Sequence, residues 1–463
     1  PVAPACSIEL WIISSMVMLA CWIPVWLAYY PVIFAYDANT QLAQVISGGY
    51  STHHPLLHTL WMGACMKLMY DRGGMNAGMA LYAASQMLLM SVMLGWTVAE
   101  AARSCCCCRR RLGILAYAVF LAVFPVHAML SVSATKDVVF AGFVMVCVML
   151  IRRRDLPDLS KKAMMRTSIG IVASCTLMIA FRNNASYALA LTILIMIASS
   201  LAGRRPVIRD GLIVSLVIGL AAGLIFTGGL KGILHAEPGS PREALSVPIQ
   251  QISRVMALHG DELDAGLIED VGVIMPDGAY ERYDEHLSDP VKRLMNMKSP
   301  GTFVRAWVKL GLKYPGTYLD AWLFLTEGAW YVRDVSVSEI YGTGGGFGYL
   351  NTDVRPMPEG FEVTPAPVFP GLRNVLEHLT TDNAFLQVPV IRLIFAPATY
   401  VWALIAYLYV GTVKRRTKAL RPCTLLLALL VTILFGPAML VRYMYPYMLA
   451  PLLMIMGFDY DCA

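Results

Sequence analysis

Charge is what this sequence has least of. Only 15% of its 463 residues are Asp, Glu, Lys or Arg, and 57% are hydrophobic. Soluble domains carry nearer a quarter charged residues, so a mean hydropathy of +0.59 excludes an ordinary soluble domain. Nucleic acid is excluded as a partner too. The net charge of +6 comes from basic residues clustered in short loops between apolar runs, a pattern that sets membrane topology. None of the eleven cysteines falls within residues 229–387, the longest polar stretch, so a disulfide framework is not supported there. Four cysteines run together at Cys105–Cys108 beside Arg109–Arg111; reduced membrane-edge thiols, acylation and metal binding all stay open for them. The first apolar run has no basic stretch before it and is too long for a signal-peptide core, so it reads as a retained span. The glycine-rich stretch 341–349 lacks a P-loop lysine and reads as a flexible loop. No internal repeat of the transporter kind is evident.

Long apolar runs are what the chain does have. They cover about 8–35, 75–98, 112–132, 138–151, 167–181, 187–202, 211–228, 388–410, 422–440 and 445–458. The fold expected is mainly α: a polytopic helical membrane protein of about ten spans. Alternating these spans puts four basic loops on one side, which the positive-inside rule makes cytoplasmic. They hold Arg103 with Arg109–Arg111, Arg152–Arg154 with Lys161, Lys162 and Arg166, then Arg204, Arg205 and Arg209, and lastly Lys414–Arg416, Lys418 and Arg421. The parity holds only if 54–70 is not a crossing. Residues 38–70 therefore read as two surface helices broken at Gly48–Gly49, within a first outer loop at 36–74. The organisation expected is an N-terminal bundle at 1–228, a mostly helical extracytoplasmic domain at 229–387 and C-terminal membrane helices at 388–463. Within the insertion, 243–259 and 301–313 carry apolar residues at helical spacing. Residues 261–270 form a shorter acidic helical candidate, and 315–331 reads as an interfacial helix.

Polar residues gather at the expected outer ends of the spans. Asp37 follows the first run, Lys136 and Asp137 precede the fourth, Arg182–Asn184 follow the fifth, and Arg442–Tyr443 precede the last. Charges at membrane depth usually face a cavity or a partner, and three of the spans they adjoin have only about fifteen residues. These features predict a polar groove sunk between helices, with snorkelling to headgroups as the plainer alternative. Asp37 can act as a general base toward an acceptor hydroxyl, or simply cap a helix at 38–47. Gln41 and Gln44 follow it on the same helical face, suited to sugar hydroxyls. Lys136, Arg182 and Arg442 can neutralise a lipid-linked phosphate. Asp137 can join the site, pair with Lys136 or cap the helix that follows. Asn183, Asn184 and Tyr443 are further candidates for sugar or acceptor binding. His54 and His58 have i, i+4 spacing, but no third metal ligand is evident, and His53 or His54 reads better as a substrate contact.

The stretches Asp37–Gln41–Gln44–Gly48–His54–Pro55, Thr135–Lys136–Asp137 and Arg182–Asn183–Asn184 resemble a group of bacterial membrane proteins with GT-C features. So do 248–254 and 287–292. GT-C proteins are integral-membrane glycosyltransferases. The resemblance implies an inverting transfer from a polyprenyl-phosphate-linked sugar to a glycan or glycoconjugate acceptor, at the extracytoplasmic side of the cell membrane. It also implies that Asp37 is the base or positions the acceptor. A neighbouring second acid is missing beside Asp37, so a divalent metal is possible but lacks a paired acidic motif, and no cofactor is assigned. Two other readings compete: a transporter or flippase of a lipid-linked saccharide, and a surface-polysaccharide polymerase or ligase.

Overall fold

The computed structural model describes residues 4–458, except 35, 106, 157–158, 204–209, 277, 333–356, 358–359 and 381–387. The glycine-rich stretch 341–349 and Arg204, Arg205 and Arg209 lie outside the described residues. Every regular element among those described is a helix. The N-terminal part holds α1 (Pro4–Ala28), α2 (Tyr36–Ser47), α3 (Leu56–Arg103), α4 (Cys108–Val123), α5 (Pro125–Ser131), α6 (Lys136–Arg154), α7 (Lys161–Phe181), α8 (Ala185–Ala202) and α9 (Gly211–Ile233). The inserted part holds α10 (Ser246–His259), α11 (Ala265–Ile274), α12 (Asp289–Lys292), α13 (Pro300–Lys313), α14 (Pro315–Leu325) and α15 (Pro370–Thr380). The C-terminal part holds α16 (Pro389–Phe395), α17 (Pro397–Val413), α18 (Thr417–Ile433), α19 (Val441–Met448) and α20 (Pro451–Met456).

This is the architecture of a polytopic helical membrane protein. Among the described residues, five helices are long and apolar enough to cross a membrane: α1, α3, α7, α8 and α9. Counting the bent pairs α4–α5 (57°) and α16–α17 (76°) raises the number to seven. Each of the ten apolar runs is a helix or a helix pair, but three fall short of that standard. Run 138–151 lies in α6, whose ends carry Lys136, Asp137 and Arg152–Arg154. Run 422–440 lies in α18, which has 17 residues, and run 445–458 is divided between the short α19 and α20. The first run also stops being helical at Ala28.

Small residues let the bundle helices approach closely, as membrane packing requires. A Cβ on Gly95 of α3 would lie 3.0 Å from the Ser15 nitrogen and the Trp11 carbonyl oxygen of α1. One on Gly219 of α9 would lie 2.6 Å from Cys175 Cβ of α7. α6 is buried on nearly every face, as expected of a helix that is apolar all round, and packs against α3, α7, α18 and α19.

α3 is two helices. Gly73 and Gly74 break it with non-helical backbone, and Gly74 has φ 65 and ψ −160, a conformation essentially reserved for glycine. The two halves fold back on each other: a Cβ on Gly78 would lie 2.7 Å from Met66 Cα. Residues 56–72 thus pack with α2 rather than continuing 75–103, and share a small core built from Leu42, Val45, Met62, Met66, Met79 and Tyr82.

The inserted part has a core of its own. Ile249, Ile252 and Val255 of α10 meet Leu267, Val271 and Ile274 of α11 and Phe303, Ala306 and Leu310 of α13. The acidic candidate 261–270 overlaps α11. α14 packs on α10, and its Trp322 indole donates to the Leu434 carbonyl (3.1 Å) at the end of α18.

Gly78→Val tests the fold-back of α3. The larger side chain would collide with the Met66 backbone, so the expected cost is about 1–3 kcal/mol, read as a lowered thermal midpoint in detergent. An unchanged midpoint would mean that the halves do not pack.

Candidate functional site

The chain ends that carry the site are brought together by backbone pairing. Ile33 N donates to the Val132 carbonyl (3.0 Å) and Ala134 N to the Ile33 carbonyl (2.9 Å). This short bridge satisfies main-chain groups where neither stretch is helical. It also sets the start of α2 beside the start of α6, and so Asp37 beside Lys136.

Five charged side chains interlock there. Lys136 Nζ donates to Asp37 Oδ2 at 2.5 Å, and Arg442 Nη2 of α19 lies 3.4 Å from the same oxygen. Arg442 Nε lies 3.4 Å from Asp137 Oδ2, whose Oδ1 accepts from Arg182 Nη1. The Thr135 hydroxyl also donates to Asp137, at 3.1 Å. Asp137 is fully buried and Arg442 nearly so. The Tyr443 ring lies against both guanidiniums, 4.3 Å from Arg182 Cζ and 5.1 Å from Arg442 Cζ. Three cations from three helix ends thus share two carboxylates, leaving an excess of one positive charge.

The N-cap reading of Asp37 does not hold. α2 starts at Tyr36, so Asp37 lies inside its first turn, and its carboxylate faces Lys136 and Arg442. Burial pushes this carboxyl upward, but Arg442 and Lys136 outweigh it and hold Asp37 well below the usual carboxylate range. His54 is affected oppositely: burial, reinforced by Lys136, pushes its imidazole down to about 3, so it is neutral at physiological pH.

The cluster forms the floor of a cavity of about 640 Å³, within the roughly 300–1,000 Å³ typical of small-molecule sites. Asp37, His53, His54, Lys136, Arg182, Asn183, Asn184, Arg442 and Tyr443 all line it. Asn184 Oδ1 accepts from Arg182 Nε (2.8 Å) and its amide donates to Thr432 (3.1 Å), which fixes the turn between α7 and α8. Apolar side chains of α8 and of the α18 end complete one rim. Tyr187 is 71%, Phe435 60% and Val431 43% exposed.

Gln41 and Gln44 are not part of this cavity, which corrects their expected role. Gln41 donates to Thr59 (2.9 Å) and faces His58 Nδ1 (3.1 Å), and His58 Nε2 meets the Tyr82 hydroxyl (2.7 Å). Gln44 accepts from Ser51 N. Gln41 thus holds α2 against α3, and Gln44 holds the loop between them. Asp137 stands just behind the cavity wall, where it anchors Arg182 and Arg442. His58 is turned away from His54, and among the described residues no group of three or more His, Cys, Asp or Glu is placed to hold a metal ion.

Residues 47–461 match the model described as a family of unknown function (DUF6020). The chain belongs to that family. No curated protein matches it. Among solved structures, this DUF6020 chain is similar to the crystal structure of ArnT from Cupriavidus metallidurans bound to undecaprenyl phosphate. That match has 12% identity and a TM-score of 0.35, and covers 98% of this chain and 78% of the other.

Sequence reasoning missed the opposite wall. Glu243 and Ala244, from the 3-10 turn Pro241–Leu245, and Leu287, Asp289, Lys292 and Arg293, around α12, cover the floor. This roof is tied down on two sides. Thr52 N donates to the Glu237 carbonyl (2.8 Å), Gly239 N to Thr52 Oγ1 (3.0 Å) and Asn183 Nδ2 to the Thr52 carbonyl (3.0 Å). Ser288 N donates to the Pro437 carbonyl at 3.0 Å. The sequence signal was the stretch 287–292 of the family resemblance, which carried no assigned role.

Asp137→Ala would leave Arg182 and Arg442 buried against a single remaining carboxylate. The expected loss is about 3–5 kcal/mol, seen as a large drop in thermal midpoint; a shift under a degree would show that Asp137 is not the anchor. His54 gives a pH signature. Its folded value of about 3 lies below the ordinary 6.5, so the unfolded chain takes up the proton first. Stability is intact above about pH 6.5 and falls as pH drops from there toward 3, by up to about 1.4 kcal/mol per unit. Thermal midpoints of His54→Asn measured across that window should fall less steeply than those of the unaltered protein.

Proposed function

We propose that this DUF6020 member is a cell-membrane glycosyltransferase. It takes its sugar from a polyprenyl-phosphate-linked donor and passes it to an extracytoplasmic glycan or glycoconjugate acceptor. The observation that carries this reading is the convergence of Lys136, Arg182 and Arg442 on the Asp37 and Asp137 carboxylates, at a cavity with an exposed apolar rim. An excess of positive charge suits a phosphate, with Arg offering paired donors and Lys a point charge. The exposed rim at Tyr187, Val431 and Phe435 suits a hydrocarbon tail that stays in the bilayer. The bundle at 1–228 and 388–463 would then hold the donor lipid, and the segment 229–387 would be the extracytoplasmic domain.

Sidedness is supported by the helix ends. α6 runs from Lys136 at the cavity to Arg152–Arg154, α7 from Lys161 and Lys162 back to the cavity, and α18 from Lys418 and Arg421 to Thr432 beside it. Each carries its basic cluster at the end away from the site, as positive-inside topology requires of an outward-facing cavity.

In the transfer, the acceptor hydroxyl oxygen bonds to the anomeric carbon as the bond from that carbon to the phosphate oxygen breaks. The lipid phosphate leaves with the electron pair, its charge met by Lys136, Arg182 and Arg442. The hydroxyl proton passes to Asp37. Single displacement inverts the anomeric centre. Asp37 is a weak base while Lys136 and Arg442 are turned toward it. An incoming phosphate competes for those cations and raises the basicity of Asp37 when the donor is in place.

Purified protein in lipid nanodiscs, supplied with polyprenyl-phosphate sugars and glycan acceptors, should transfer sugar. Asp37→Asn should lower the rate by about 10²–10⁴-fold. Full activity in that variant would remove Asp37 from the chemistry, and movement of the lipid across vesicles without transfer would favour a flippase.

A further inference from the structure

The roof of the cavity carries a charged arrangement that phosphate neutralisation does not use. Lys292 Nζ lies 2.7 Å from Glu243 Oε2 and 2.7 Å from Asp289 Oδ1. Its side chain is buried, whereas both carboxylates are reachable from the cavity, which all three residues line. Burial lowers the Lys292 ammonium, but Asp289 and Glu243 outweigh it and hold it above its ordinary value. His53 Nδ1 lies 4.0 Å from Glu243 Oε1 and extends the row toward the floor. Arg293 also lines the cavity, so the formal charges of Glu243, Asp289, Lys292 and Arg293 sum to zero where the floor is positive.

We propose that Glu243, Asp289 and Lys292 form a subsite for the hydroxyls of a neutral hexosyl group, held between this roof and the Asp37 floor. The inference rests on the glycosyltransferase reading and names the sugar side of the same cavity. An ammonium has three N–H donors; one goes to Glu243 Oε2, and Asp289 Oδ1 is an ion-pair neighbour, which leaves a donor for a sugar oxygen. Each carboxylate has lone pairs beyond those that Lys292 uses and accepts from hydroxyls. The row therefore offers acceptor, donor and acceptor to adjacent hydroxyls. An acidic sugar would meet two carboxylates whose charge is already balanced, and would gain nothing. The ties at Thr52 and at Ser288–Pro437 hold this row at a fixed height above Asp37, which pre-organises the space between them.

The test compares ligands that differ only in the sugar. Binding of undecaprenyl phosphate and of its glucosyl, galactosyl, mannosyl and glucuronosyl esters is measured on the full chain in nanodiscs. At least one neutral hexosyl ester should bind about tenfold tighter than the bare lipid phosphate. Glu243→Gln and Asp289→Asn, made separately, should each erase most of that gain while leaving the bare lipid phosphate bound as before. That retained binding also reports an intact fold. If the bare lipid binds but no neutral ester binds tighter, or if the variants weaken both ligands equally, the subsite is wrong and the phosphate site stands. Tightest binding of the glucuronosyl ester would overturn the neutral class. If no lipid phosphate binds at all, the glycosyltransferase reading falls and the subsite falls with it.

Discussion

The interlocked charges at the ends of α2, α6, α7 and α19 are the constraint on which the rest of this structure depends. Buried ions are costly, and attraction repays that cost only where every partner is in place. Asp37, Lys136, Asp137, Arg182 and Arg442 meet this condition together, and none of them meets it alone. The four helix ends must therefore arrive at one point. The bridge between Ile33 and Ser133 and the fold-back of α3 are the local means by which they do so. In the proposed reading, the leftover positive charge makes this structural knot a binding surface as well: a phosphate would complete the pairing that two carboxylates leave one short.

The same principle explains what was legible in the sequence. Asp37, Lys136, Arg182 and Arg442 stand out because their neighbours are apolar; a charge surrounded by Val, Ile and Phe must have a reason to be there. Residues 54–70 read as no crossing because the basic loops permit only one parity, and in the structure Gly73–Gly74 separate 56–72 from the second half of α3. Contrast fails in polar stretches. Glu243, Asp289 and Lys292 sit among other charges, and nothing in spacing alone separates them from solvated surface residues such as Arg305 and Asp270. Gln41 and Gln44 were misread for a different reason. Helical periodicity gives a face, not a height along the axis. Only the first turn of α2 reaches the cavity, and the turns beyond it are spent against α3.

α6 unites these observations. It begins with Lys136 and Asp137 at the site and ends with Arg152–Arg154, and it is enclosed by α3, α7, α18 and α19. Its ends are too charged to pass as a span by composition. In the fold, it is the interior post around which the others stand. Uniform apolarity is therefore a poor guide to this helix, whose charged N-terminal end lies in the cluster at the cavity.

The two ties that hold the roof also decide how this cavity can be reached. With one flank closed at Thr52 and another at Ser288–Pro437, the exposed apolar rim between α8 and α18 would, in the proposed reading, be the side that meets the bilayer. A ligand arriving there travels in two dimensions. Its supply is then set by its mole fraction in the surrounding lipid and not by its concentration in bulk solution. Diluting the membrane with inert lipid would starve such a site even at constant total ligand, and the composition of the bilayer would become a control on the proposed transfer.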